Sequence, residues 1–165
     1  MTVKHINLQG STVVELVLYM GLLSIFILAL FDIFSQILNT QTRSVAVSLV
    51  QTNGNFLLTK LTQDINRAES ISVPVAIGDT GNTLTLQIGS TSAVYTITDG
   101  RLRMVDSTGT YNLNDVDTTI SNFNVQKLGN PLGRAGVQLS LTITSNVVDN
   151  ANTKTLNFQT FATTR

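Results

Sequence analysis

Few residues of this 165-residue chain could do chemistry, and Glu15 is the most unusual of them. It lies directly before an uncharged apolar run, residues 16–31, with the sequence LVLYMGLLSIFILALF. A carboxylate one turn inside an apolar segment costs roughly 2.5–3.5 kcal/mol on insertion scales unless it reaches water, takes up a proton or finds a cation. Glu15 is therefore the first candidate for a specific polar interaction.

The sequence contains few residues that could support other catalytic or metal-binding chemistry. The chain has no cysteine, and His5 is its only histidine, which argues against thiolate sites, histidine metal sites and a Ser-His-Asp triad. The D-T-G sequence that begins at Asp79 lacks the second carboxylate and the double-lobed fold of an aspartic protease, so we predict a turn there. We expect no enzymatic activity.

Charge and polarity narrow the class of protein further. The formal net charge is +0 and only 12% of the residues are charged, about half of the globular average of roughly 25%. This balance argues against a basic nucleic-acid interface, and no nucleic-acid partner is indicated. A polar surface made of Thr, Ser, Asn and Gln suits an extracytoplasmic protein rich in β-structure.

The apolar run predicts a membrane-spanning helix. Residues 12–31 would form a helix roughly 30 Å long, which matches the hydrocarbon thickness of a bilayer. Lys4 and His5 precede the span, Asp32 follows it, and the next cation is Arg43. The positive-inside rule therefore predicts a cytoplasmic N-terminus, with the rest of the chain outside. The run is longer than that of a secretory signal, so removal by signal peptidase is not expected.

The helical pattern continues beyond the span. Proline is absent until Pro74, and Gly54 is the only glycine between the span and that proline, so a nearly continuous helix over residues 11–67, roughly 85 Å long, is predicted. Its second half is amphipathic. The apolar residues that recur there at spacings of three, four and seven are Phe34, Ile37, Leu38, Val45, Leu49, Phe56, Leu57, Leu61 and Ile65.

After residue 70 the apolar period changes from 3.6 to 2, which predicts strands. The alternating segments are residues 83–88, 94–97, 102–104, 120–127, 137–145 and 153–162. The Asp99-Gly100 pair indicates a type I′ hairpin, and turns are predicted at residues 129–133 and 148–150. Leu139, Leu141 and Ile143 share one apolar face that needs a cover. The predicted fold class is α+β, with a long N-terminal helix packed on an antiparallel β-sheet.

The residues around Glu15 carry a family resemblance. The segment QGSTVVEL, residues 9–16, resembles the prepilin-peptidase site of type IV pilins and pseudopilins, in which a short leader ends in Gly and a T-x-x-E-L pattern opens the apolar helix. The resemblance implies cleavage after Gly10 and a mature chain that begins at Ser11, with Glu15 as its fifth residue. Ser11 departs from the family, where Phe is usual, and the family also implies methylation of this new N-terminus.

The resemblance also implies an architecture and an assembly role. It implies a lollipop with a leader at residues 1–10, a transmembrane and assembly helix at 11–38, and a globular domain at 39–165 whose helix ends at about 68. The chain would be a single-pass protein of the inner membrane and then part of a filament in the periplasm or at the cell surface. Glu15 would pair with the α-amine of a neighbouring subunit. The implied partners are other pilin or pseudopilin subunits, the prepilin peptidase, the inner-membrane assembly platform and, before assembly, the lipid bilayer.

A second match lies at the end of the predicted helix. Leu61, Asp64, Ile65, Arg67 and Ala68 fit an L-x-x-D-I-x-R-A pattern that is similar to one in J-type minor pseudopilins and related minor pilins. The alternative is a plain helix-surface pair between Asp64 and Arg67, worth a few tenths of a kcal/mol.

One loop has the composition of a calcium site. Asn112, Asn114, Asp115 and Asp117 concentrate the oxygen ligands that calcium prefers, and some pseudopilins bind calcium in a loop of the β-region. The alternative is a solvated loop rich in Asn and Asp. No other metal or cofactor is expected.

Two functions therefore follow from the sequence. The first is a minor pilin or pseudopilin of a type IV pilus, competence or type II secretion filament. The second is a signal-anchored extracytoplasmic β-domain that acts as a ligand-binding module, in which Glu15 lies near the lipid headgroups without a specific role. Cleavage at Gly10 distinguishes them.

Overall fold

The structure is a computed structural model that describes residues 9–129, 133–149 and 152–165. The chain divides into two compact units, Met1–Gln41 and Thr42–Arg165. One α-helix, α1 (Gln9–Arg67), contributes its first part to the first unit and its second part to the second unit.

The first unit is the apolar part of α1. Every side chain that the structure describes from residue 12 to residue 34 is exposed. The helix is long and apolar enough to cross a membrane, which fits a single-pass membrane protein. The predicted helix is confirmed, with its start at Gln9 and its end at Arg67.

In the second unit, the described residues form the rest of α1 and nine strands. One antiparallel sheet has the order β1-β3-β4-β5-β6 and the other has the order β2-β7-β8-β9. The strands are β1 (Ser70–Val73), β2 (Thr80–Gly81), β3 (Thr83–Ile88), β4 (Thr91–Thr98), β5 (Arg101–Asp106), β6 (Gly109–Asn112), β7 (Thr118–Gly129), β8 (Ala135–Asp149) and β9 (Asn152–Thr163).

The α+β class is confirmed, but the strands form two sheets where the sequence predicted one. All six alternating segments are strands. The short strands β1, β2 and β6 were not predicted, because two to four residues give no measurable period. The predicted turn at residues 148–150 is partly wrong, since β8 continues through Asp149; Asn150 and residues 130–132 of the other predicted turn lie outside the described residues.

The predicted hairpin joins β4 to β5. Asp99 has φ 53° and Gly100 has φ 71°, the pair of positive φ angles that a type I′ turn requires. Thr98 pairs with Arg101 directly beside the turn. The turn also meets the other sheet, since the Ile120 amide donates to the Gly100 carbonyl at 2.8 Å.

The amphipathic part of α1 and both sheets share one hydrophobic core. The fully buried side chains are Val50, Leu57, Leu61 and Ile65 of α1, Leu84, Leu86, Tyr95 and Leu102 of the first sheet, and Val125, Val137, Leu139 and Ile143 of the second. The apolar face predicted for Leu139, Leu141 and Ile143 is confirmed. Val45 and Phe56, predicted in the helix stripe, are exposed, because the sheets cover the neighbouring face of Ala46, Val50 and Leu57.

Candidate functional site

The candidate site in the first unit centres on Glu15. Its side chain is exposed on α1, and the Tyr19 hydroxyl donates a hydrogen bond to Glu15 Oε1 at 2.9 Å. Residues four apart share one helix face, and helical side chains lean toward the N-terminus, so the tyrosine ring reaches back to the carboxylate. Sequence analysis identified Glu15 but missed Tyr19, although the i,i+4 spacing carried the signal.

The described residues supply no cation for Glu15. Their ion pairs join Lys60 to Asp64 at 2.9 Å and Arg103 to Asp99 at 3.5 Å. Both lie in the second unit. A countercharge for the Glu15 carboxylate therefore has to come from outside the described part of this chain.

Gly10 and Ser11 lie in the first turn of α1, directly after Gln9, the first described residue. The structure therefore brings the predicted processing bond and Glu15 onto the same helix, within two turns. Lys4 and His5, predicted to lie in a leader, fall outside the described residues.

A second polar cluster lies where α1 meets the first sheet. Asp64 is buried, and its Oδ2 accepts a hydrogen bond from the Tyr95 hydroxyl at 2.6 Å. The Lys60 ammonium contacts both oxygens of this carboxylate, Oδ2 at 2.9 Å and Oδ1 at 3.1 Å. The Asp64–Arg67 pair offered as an alternative is wrong, because Asp64 faces the sheet and takes its charge partner one turn earlier in the helix.

This cluster accounts structurally for the second sequence pattern. Leu61, Ile65 and Ala68 are fully buried in the core, and Asp64 ties the end of the helix to β4. Burial and the hydrogen bond to the Asp64 carboxylate raise the pKa of Tyr95 well above its ordinary value of 10.0. A carboxylate on the buried face of an amphipathic helix needs a polar partner. That requirement was visible in the sequence, and the structure identifies Tyr95 as a partner.

Comparisons with protein-family models, curated proteins and solved structures found no match for this chain.

The calcium candidates lie on and after β6. The Asn114 side-chain oxygen accepts the Leu102 amide at 2.9 Å, and its nitrogen donates to the Thr118 carbonyl at 2.7 Å. Asp115 accepts the Val116 amide at 2.6 Å. Through these bonds, the Asn114 and Asp115 side chains hold the backbone of the loop in place. Among the described residues, no group of three or more His, Cys, Asp or Glu is placed to hold a metal ion. Of the remaining candidates, Asn112 accepts from the Arg103 guanidinium at 3.2 Å and Asp117 is exposed.

The turn predicted at Asp79 is only partly confirmed. The Asp79 carboxylate accepts the Ala76 amide at 2.9 Å, as turn aspartates do. The two residues that follow it form β2, which pairs with β7.

Proposed function

We propose that this chain is a minor pilin or pseudopilin, a structural subunit of a type IV pilus, competence or type II secretion filament. The observation that carries the proposal is the contrast between the two parts of α1. Side chains 12–34 are exposed and mostly apolar, whereas from Ala46 onward one face of the helix is buried under two sheets. A helix of this kind needs two different environments.

The exposed part of α1 needs a cover other than water. Burying one large aliphatic or aromatic side chain stabilises by roughly 1.5–3 kcal/mol, so this segment favours lipid or another apolar helix strongly. Lipid covers it while the subunit is a single-pass membrane protein. After assembly, the corresponding helices of neighbouring subunits cover it. This structural role involves no enzymatic activity.

The processing step supplies a cation for Glu15 that the described part of the chain does not provide. Cleavage after Gly10 by prepilin peptidase would leave an α-amine on Ser11, one helical turn from Glu15. In the filament the Glu15 carboxylate of one subunit pairs with the α-amine of the next. A buried carboxylate without a cation is costly, so this pairing favours the subunit register in which both charges are matched.

The positive-inside rule orients the chain before cleavage. Lys4 and His5 precede the apolar segment, and Arg43 is the first cation after it. The N-terminus would then face the cytoplasm, together with the peptidase site, and the second unit would lie outside.

The deciding experiment follows the N-terminus of the full chain. The protein is co-expressed with a prepilin peptidase, and its intact mass and N-terminal sequence are determined. We expect a mature chain that begins at Ser11. The Gly10→Val variant should keep its leader.

Gly21→Val is the matched control for this experiment. It makes the same change in the same helix, at a position where nothing lies within 4 Å of an added Cβ, and it should be processed like the wild type. Retention of the leader by the wild-type chain beside an active peptidase would overturn the proposal and favour the signal-anchored binding module.

A further inference from the structure

A hydrogen bond joins Tyr19, inside the apolar segment, to Glu15, which directly precedes that segment. The Tyr19 hydroxyl donates to Glu15 Oε1 at 2.9 Å, and both side chains are exposed on the same face of α1. The bond engages the Oε1 atom of the carboxylate. The pair therefore presents a hydrogen-bonded carboxylate at the helix surface.

The apolar surroundings of Glu15 and Tyr19 strengthen the effect of the Tyr19 hydroxyl on the carboxylate. Residues 16–31 carry no charge, and Glu15 and Tyr19 line a surface groove of α1 together with Leu16, Met20 and Leu23. In a low-dielectric environment a hydrogen bond to a charged group is stronger than in water, and a missing one is more costly. Tyrosine suits such a position because its ring is apolar while its hydroxyl donates.

We propose that Tyr19 is a positioning residue for Glu15. Its hydroxyl holds the carboxylate in one orientation on the helix surface and supplies a donor in the bilayer, before the α-amine of a neighbouring subunit pairs with the carboxylate. The inference rests on the proposed function for its assembly step. The orientation of Glu15 within a single subunit is independent of any filament.

The single-subunit step can be measured directly because the chain has only two glutamates, Glu15 and Glu69. In a Glu69→Gln background, glutamate labelled with ¹³C at the side-chain carboxyl carbon, Cδ, reports on the Glu15 carboxylate alone. The full chain is reconstituted in vesicles of phosphatidylcholine and phosphatidylglycerol, and solid-state NMR records that signal. Tyr19→Phe should shift it, because only the hydroxyl is lost.

Tyr111→Phe is the matched control. It makes the same substitution at an exposed tyrosine of the second unit, and it should leave the Glu15 signal unchanged. An unshifted signal in Tyr19→Phe would overturn the proposal, whatever the filaments do. An equal shift in both variants would overturn it as well.

The assembly step is measured as the share of the chain recovered in filaments with its assembly proteins. Tyr19→Phe should lower that share roughly tenfold, the factor that corresponds to one hydrogen bond to a charged group. Glu15→Gln should lower it too. The double variant should do no worse than Glu15→Gln, because the hydroxyl acts through the carboxylate.

Additive losses in the double variant would overturn the positioning role, since Tyr19 would then act by itself. Failure of the wild-type chain to enter filaments would overturn the proposed function and the assembly step together. In that case the NMR result would still decide whether Tyr19 orients Glu15, so the two failures are distinguishable.

Discussion

Removing the Tyr95 hydroxyl should destabilise the second unit measurably. Tyr95 is fully buried, and its hydroxyl donates to Asp64 at 2.6 Å. Tyr95→Phe keeps the ring and leaves the carboxylate with Lys60 at 2.9 Å. The loss is therefore one buried hydrogen bond to a charged group, roughly 1.5–3 kcal/mol. For a unit the size of Thr42–Arg165 each kcal/mol shifts Tm by roughly 4 °C, so we expect Tm to fall by about 8 °C.

The assay is thermal and urea unfolding of the full chain in detergent, followed by near-ultraviolet circular dichroism. Tyr111→Phe serves as the control, because Tyr111 is exposed and surface substitutions stay within about 0.5 kcal/mol. Asp64→Asn tests the same contact from the other side. If the two groups act as a pair, Tyr95→Phe should cost less in the Asp64→Asn background than in the wild type.

The pH dependence of stability tests the contact between Tyr95 and Asp64 in a second way. The pKa of Tyr95 is raised in the folded state above its ordinary value of 10.0, so the unfolded chain loses this proton first as pH rises. The contribution of Tyr95 to stability is therefore complete below about pH 10 and declines above it. Tyr95→Phe should show a smaller alkaline loss of stability than the wild type.

A Tyr95→Phe variant no less stable than Tyr111→Phe would refute this role of Tyr95. It would also be refuted if Tyr95, followed as the absorbance difference between the wild type and Tyr95→Phe, formed tyrosinate near its ordinary pKa of 10.0 while the protein stayed folded. Either result would mean that the Asp64 contact does not hold the Tyr95 proton.

Two further predictions concern packing and a charged turn in the second unit. Gly54→Ala should destabilise by about 1–3 kcal/mol in urea unfolding, because an added Cβ would overlap the Phe158 ring, and Phe158→Leu should restore part of the loss. Hydrogen bonds from Thr108 hold the pKa of Asp106 below 3.8, so Thr108→Val should raise that pKa in an NMR titration. The stability from this turn is present above about pH 4 and declines as pH falls; an unchanged titration would contradict the assignment.

The pattern of apolar residues predicted the main elements. A helix from residue 11 to residue 67 follows from 3.6-residue periodicity and from the absence of proline before Pro74. The Asp99-Gly100 pair predicted the hairpin, because few residues adopt two successive positive φ angles. These signals are local, since they depend on neighbours within one or two turns of the chain.

The candidate site was predictable only in part. Glu15 was visible in the sequence because a carboxylate beside an apolar run is unusual by itself, whereas Gly10 was singled out by the resemblance to prepilin-peptidase sites. The hydrogen bond from Tyr19 needed the side-chain geometry. Of the two interpretations of Asp64, the surface pair with Arg67 was wrong, since the partners of Asp64 are Lys60 and Tyr95.

The sequence by itself determined the long helix and the six longer strands, and it determined that the first part of α1 needs an apolar environment. Only the tertiary structure decided that the strands form two sheets, that β1, β2 and β6 exist, and that Phe56 is exposed beside the buried Leu57. The physical reason is separation along the chain. Tyr95 lies 31 residues from Asp64, and contacts over such distances depend on how complete elements pack, which no local period records.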